Sequence, residues 1–365
     1  MKDENLVRFF ECIIPVTICN LKCDYCYVIQ RNNRNMKKAE LKFSAEHIGK
    51  CLTKERLGGK CYFSLCGAGE TLAQPEIVDI AYNILKQGHI VNITTNGTMS
   101  KVFEKFKDIE PKLLKQLHFS FSFHYLELKR LNKLDAFFQN IDFVKNIGCS
   151  YMVQINLTDS YLPYLEEIKK ICIENVGAMP QVAATRKESK GFVKVDLHTS
   201  LSKEEYEKIG KEFESPLFEY TMKNFNVKRK EFCYAGDRSG CLNIATGALK
   251  KCYGDPLPQY IFDDPNKPIK FEPVGNNCYS KFCFNSSHFI SLGVIDNLDN
   301  DITYSGLRDR KEVSWFNDSI CKALSEKLIG NNVEYKGIKK LSINIKNRIK
   351  KIIIIIISRI RSIKK

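Results

Sequence analysis

Along the first half of the chain, apolar runs of strand length alternate with amphipathic runs of helix length. Leu6 to Thr17 reads as an apolar strand. Residues 31–42 are polar and basic and read as a loop, after which Ser44 offers an N-cap for a helix from Ala45 to Leu57, stopped by Gly58-Gly59. Lys60 to Cys66 alternates Cys61, Phe63 and Leu65 against Tyr62 and Ser64, the period of a second strand. Pro75 sits at a helix start, Ile77 to Leu85 supplies the apolar face, and Gly88 closes it. His89 to Thr95 reads as a third strand, followed by a helical region to Gln116. Leu117 to His124 is a fourth strand that sets Phe119, Phe121 and Phe123 on one side and His118, Ser120, Ser122 and His124 on the other. The pattern leaves open which side points inward. Asp135 offers a cap to a helix carrying Phe137, Phe138, Ile141, Phe143, Val144 and Ile147, stopped by Gly148. Cys149 to Leu157, Tyr161 to Ile173 and Ala178 to Ala184 complete a strand, a helix and a sixth strand. Six strands with helices between them predict an α/β fold with a parallel sheet joined by right-handed crossovers.

Past Lys190 this rhythm stops and cysteines recur as Cys233, Cys241, Cys252, Cys278, Cys283 and Cys321. Three regions follow: 1–190, the strand-helix repeat; 191–330, a smaller cysteine-rich domain; and 331–365, a basic, isoleucine-rich tail. The length of 365 residues suits one large domain with a smaller appendage, and an apolar share of 44% is ordinary for a chain that buries a core.

Charge is unevenly placed. Of the formal net +15, the stretch 331–365 carries eleven Lys and Arg against the single Glu334, a net +10, leaving +5 for the rest. The basicity belongs to the tail, so no nucleic-acid binding is expected of the body. Ile352 to Ile357 are six consecutive isoleucines flanked by Lys350, Lys351, Arg359 and Arg361, far short of the roughly 20 residues that span a bilayer. Two readings of the tail stand side by side: a peripheral contact with anionic lipid or an acidic partner, or a frayed terminus. The apolar run from Cys12 to Ile18 is too short and interrupted for a signal peptide, so the expected compartment is a reducing cytoplasm. There, fifteen cysteines mean metal or redox work more often than disulfides.

The strongest chemical signal is Cys19-Asn20-Leu21-Lys22-Cys23-Asp24-Tyr25-Cys26. Three thiolates spaced C-x3-C-x2-C on a short loop can take three irons of a cubic cluster and leave the fourth iron open. A zinc site or three unrelated buried thiols are the competing readings, although structural zinc usually draws four ligands in two pairs. A second strand end carries Cys66-Gly67-Ala68-Gly69-Glu70-Thr71-Leu72, where small residues let backbone approach a ligand and a carboxylate can accept from an ammonium group. Thr95-Asn96-Gly97-Thr98 follows the third strand and taken alone is a turn. A lone strand-end histidine such as His124 is more often structural than catalytic.

The C-x3-C-x2-C spacing with an aromatic before the third cysteine resembles the radical S-adenosylmethionine (SAM) enzymes. Over residues 6–190 the resemblance implies a partial (βα)6 TIM-like barrel, with Cys19, Cys23 and Cys26 holding a 4Fe-4S cluster. It places Tyr25 near the adenine of SAM and sets Gly69 and Glu70 where the family carries its Gly-Gly-Glu motif for the methionyl amino group. Ala68 stands in place of the first glycine. It also makes Thr95, Asn96 and Ser122 candidate contacts to SAM. The spacing from Cys233 through Gly247 to Cys252, with Cys278 and Cys283 after a gap, resembles the SPASM and Twitch extensions. That implies an auxiliary 4Fe-4S cluster on Cys233, Cys252, Cys278 and Cys283, with zinc as the alternative and Cys241 as an extra candidate. Two clusters would need about eight ligands where six cysteines remain, which favours one.

The function so implied is reductive cleavage of SAM to a 5'-deoxyadenosyl radical that abstracts hydrogen from a substrate. Only eighteen residues precede Cys19, which tilts the expectation from a radical SAM peptide or protein maturase towards oxidation of a sugar or other small molecule. The implied reductant is a flavodoxin or ferredoxin. A non-catalytic iron-sulfur or zinc-binding protein is the alternative from another class.

Overall fold

The computed structural model describes residues 5–188, 195–278, 280, 282–283, 285–295 and 298–363. Six parallel strands form its centre: β1 (Arg8–Ile14), β2 (Cys61–Gly67), β3 (Ile90–Thr95), β4 (Leu117–Ser122), β5 (Ser150–Leu157) and β6 (Gln181–Ala184). They lie side by side in chain order with helices in the connections, the α/β arrangement of a partial TIM-like barrel. A short antiparallel ribbon, β7 (Arg186–Lys187) with β8 (Asp196–Leu197), follows β6.

The phenylalanine row of β4 resolves which side of the sheet is covered. Phe119 packs on Phe103 and Phe106, and Phe121 on Phe103 and Phe137, all from the flanking helices. The opposite face therefore lines the lumen, and it is polar. Ser120 donates to Asn92 at 2.9 Å and Asn92 to Ser64 at 3.0 Å, a hydrogen-bonded chain across β4, β3 and β2. Apart from Arg8 at the start of β1 the outer face of these strands is buried, whereas Glu11, Cys66, Ser120, Ser122, Gln154 and Asn156 on the inner face remain partly accessible.

Several local expectations shift. The helix from Ala45 to Leu57 is two helices, Ala45–Cys51 and Lys54–Leu57, because Thr53 breaks the run and recaps it by accepting from the Arg56 amide. Asp135 does not cap its helix: Leu134–Asn146 begins one residue earlier, and Asp135 lies in the first turn, where its charge still suits the helix dipole. Residues 203–211 and 216–223, unassigned by periodicity, are helices started by Ser202 and Ser215 caps.

The sheet does not stop at the barrel. β9 (Ser239–Asn243) pairs in parallel with β1, and β10 (Ala248–Lys250) and β11 (Gln259–Tyr260) continue antiparallel, giving a nine-stranded sheet that crosses the boundary at residue 190. Residues 304–317 close the bottom of the barrel. There Phe316 meets His118 edge-on, the Trp315 indole donates to the Val176 carbonyl, and Trp315 returns its own carbonyl to the Tyr151 amide.

The tail is a helix, Gly337–Ile363, and no described helix is long and apolar enough to cross a membrane.

Candidate functional site

At the C-terminal ends of β1 and β2 the chain continues as two facing segments. Ala68, Gly69 and Glu70 donate their amides to the Ile14, Val16 and Ile18 carbonyls, so the turn after β2 is stitched to the approach to Cys19. Gly69 is required there, since a Cβ on it would lie 2.3 Å from the Ile18 carbonyl oxygen.

The Glu70 side chain extends the stitching to β3. One carboxylate oxygen accepts from the Leu72 amide and the Thr95 hydroxyl, and the other from the Asn96 amide at 2.7 Å. Burial pushes this carboxyl up, and those three donors pull the other way. The second oxygen keeps one lone pair for a further donor. Asn96 completes the link by donating its side-chain amide to Asn20 at 2.9 Å and to the Cys19 sulfur at 3.8 Å. Asn20 in turn donates to Thr98, whose hydroxyl donates to the Asn96 side-chain oxygen. Asn20 and Thr98 were not singled out from the sequence, although both lie inside segments that were.

Cys19, Cys23 and Cys26 sit together on this loop. Burial pushes the Cys23 thiol up to about 12, with Cys19 and Cys26 adding to the rise, and burial likewise raises Cys19. Among the described residues no three His, Cys, Asp or Glu could hold a single metal ion.

Tyr25 is buried with its hydroxyl 2.7 Å from His124 Nδ1 and 3.0 Å from the Tyr161 hydroxyl. It fastens the cysteine loop to the ends of β4 and β5. His124 has burial pushing it down to about 4, and it serves here as a neutral partner to the phenol. Tyr161, from the turn after β5, has no signal in sequence that marks it. Ser122 stands at the end of β4, on the lumen face and partly accessible.

A second cysteine group gathers beyond β9. Burial raises the Cys252 thiol well above its ordinary value, and Cys233, Cys283 and Cys278 each raise it further, so all four expected residues lie within electrostatic reach of one another. Cys233 exchanges two backbone hydrogen bonds with Gly275, which sets the strap 272–278 beside it. The four-thiol donor set suits a fully ligated 4Fe-4S cluster. Cys241 is not in this group: it lies on β9 beside Glu11. Cys321 lies on the helix Asp318–Leu324, where its sulfur faces Ser325. Cys172 is fully buried and Cys149 nearly so, as small apolar residues.

Between the two cysteine groups the lumen holds a polar cluster. Glu11 accepts from the Asn285 side chain at 2.6 Å and from the Tyr253 hydroxyl, and burial pushes its carboxyl up against those bonds. Arg186 lies within reach of both Glu11 and Tyr253. A glutamate inside Phe9-Phe10-Glu11-Cys12-Ile13-Ile14 was the signal available in sequence.

Residues 13–158 match the Radical SAM superfamily model. Among curated proteins no match is found. Solved structures that resemble the chain include Streptococcus suis SuiB bound to S-adenosylmethionine, at TM-score 0.49 and 16% identity over 70% of this chain and 64% of that one. Another is anSMEcpe with bound AdoMet, at TM-score 0.48 and 16% identity over 72% and 80%. A third is anSMEcpe with AdoMet and the Cp18Cys peptide, at TM-score 0.46 and 15% identity over 95% and 98%. The chain thus spans less than two thirds of the SuiB length. The stretch that matches the Radical SAM superfamily model contains the cysteine loop, the Gly69-Glu70 turn and the Thr95-Asn96 turn, which meet at adjoining ends of β1, β2 and β3.

Proposed function

We propose that this protein is a radical SAM enzyme that oxidises a sugar-like or other hydroxylated small molecule in the barrel lumen. The observation that carries the radical SAM reading is the continuous link from Glu70 through Asn96 to the Cys19 sulfur. It joins a carboxylate with one free lone pair to the three-cysteine loop, which supports reading Glu70 as a partner for an ammonium group and the loop as a cluster site. In this reading Cys19, Cys23 and Cys26 hold a 4Fe-4S cluster, and Cys233, Cys252, Cys278 and Cys283 hold an auxiliary one. When bound, the first cluster and SAM supply a 5'-deoxyadenosyl radical, and the auxiliary cluster supplies a one-electron acceptor.

The protein's own residues do the positioning. Glu70 and Asn96 orient the amino acid end of SAM, and Tyr25 keeps the loop seated through His124 and Tyr161. Ser120, Ser122, Gln154 and Asn156 line the lumen with partly accessible hydroxyl and amide groups that suit a hydroxylated substrate better than an apolar one. Glu11 stands among them as the carboxylate able to accept a substrate proton. A flavodoxin or ferredoxin in a reducing cytoplasm is the proposed electron source.

The deciding experiment is anaerobic reconstitution, reduction, addition of SAM and quantification of 5'-deoxyadenosine beside a Cys23→Ala control. About eight irons per chain and product only in the wild type support the proposal. Zinc in place of iron, or product that persists in the control, overturns it. Consumption of an added peptide rather than a polyol would reassign the enzyme to peptide maturation.

A further inference from the structure

The C-terminal helix Gly337–Ile363 has two unlike sides. One is pinned to the body. Asn344 accepts from the Asn276 amide at 2.9 Å and donates to the Asn276 side chain at 2.7 Å, and Asn347 donates to the Pro273 and Val274 carbonyls. Lys346 and Lys350 reach Glu272, and Lys351 donates to the Cys278 carbonyl at 2.7 Å. The other side is apolar and open. Ile338, Leu341, Ile345 and Ile349 recur at spacings of three and four, which puts them in one row opposite Asn347, with Asn344 at its edge. They are 86%, 59%, 51% and 53% exposed. Ile352 and Ile353 prolong the row at 50% and 48%.

What covers such a row is decided by its surroundings. From Tyr335 to Lys365 there is no acidic residue, and eleven Lys and Arg lie in that stretch. A second copy pairing through the same row would bring two such helices side by side, and like charges oppose that. Crossing a bilayer is excluded for the described helices by length and hydropathy. An apolar row flanked at helical spacing by Arg348 on one side and Lys346 on the other, on a helix of net positive charge, fits the boundary between anionic headgroups and acyl chains, where the row is buried and the helix's excess charge is met by phosphate.

We propose that this helix docks the protein on an anionic lipid bilayer surface through Ile338, Leu341, Ile345 and Ile349. The strap 272–278, on the opposite side of the helix, then faces away from the lipid. This holds independently of the chemistry assigned to the cysteines.

The test is co-sedimentation of the full chain with vesicles of phosphatidylcholine alone and of phosphatidylcholine with phosphatidylglycerol, at low and high salt. Binding should require the anionic lipid and weaken with salt. The double variant Ile345→Asp/Ile349→Asp should bind those vesicles at least about tenfold more weakly, with unchanged circular dichroism and iron content. Equal binding to both vesicle types, or full binding by the double variant, overturns the proposal. So does absence of vesicle binding, whether the wild type forms a dimer that the double variant dissolves, binds polyglutamate as an acidic protein would, or does neither.

Discussion

The side-chain amide of Asn96 lies 3.8 Å from the sulfur of Cys19, while its backbone amide is held by Glu70 at 2.7 Å. One residue thus fixes a cysteine of the loop and the carboxylate of the neighbouring turn with respect to each other. Asn96→Ala should lower 5'-deoxyadenosine formation by about 10–100-fold, the usual cost of losing a residue that orients a ligand rather than binding as one. Iron content should stay near wild type, and iron analysis beside a SAM titration separates the two effects.

Gly69→Ala should be far more disruptive than its single added methyl group suggests. The new Cβ meets backbone, at 2.3 Å from the Ile18 carbonyl oxygen and 2.8 Å from the Thr17 carbonyl carbon, so the approach to Cys19 must move. A cost of about 1–3 kcal/mol is expected from overpacking, together with poor iron uptake. Gly330→Ala is the control, since its Cβ meets nothing within 4 Å. Urea unfolding and iron per chain read both.

Cys278→Ser should remove about four irons while sparing 5'-deoxyadenosine formation in the absence of substrate. Cys241→Ser should remove none, because Cys241 lies on β9 beside Glu11 rather than in the group around Cys252. Iron analysis and Mössbauer spectra of the two variants decide this.

Removing residues 341–365 should cost the auxiliary irons as well as any localising role of the tail. Asn344, Asn347 and Lys351 hold the strap that carries Cys278, and truncation releases it. The irons of the barrel loop should remain, which iron analysis against the Cys278→Ser variant will show.

His118 sets an acid limit on stability. Burial pushes its imidazole down to about 3, with Arg308 contributing. The unfolded chain takes up this proton near pH 6.5, at about the ordinary imidazole value, and the folded chain only near 3. Stability therefore falls as pH drops below the ordinary value, by at most about 1.4 kcal/mol per pH unit from this group. His118→Asn should flatten the slope between pH 7.5 and pH 5.5, read from urea midpoints.

Much of the barrel was legible because its signals are local. The alternation in 60–66 and 117–124, the glycines after helices and the cysteine spacing each depend on neighbours in sequence. What was not legible depends on distant partners. Whether Phe119 or Ser120 faces the lumen is decided by Phe103 and Phe137, which periodicity cannot see. Tyr161 matters only because Tyr25 reaches it from 136 residues away. The helix 203–211 is strongly charged, with few apolar positions to announce it, and rests on a capping box at Ser202 and Glu205. The tail is fixed on one side by asparagines that read, in sequence, as ordinary polar residues.

The pairing of β9 with β1 also bears on the order of events during synthesis. Phe9 is opposite Ser239 and Ile13 opposite Asn243, so the first strand waits for more than two hundred further residues before both its edges are satisfied. A ribosome delivers the chain from its N-terminus, and until those residues emerge the segment leading to Cys19 is held by β2 on one side only. The nascent barrel therefore presents Cys19, Cys23 and Cys26 beyond a half-secured strand, and the geometry of that loop is complete only once β9 has been made.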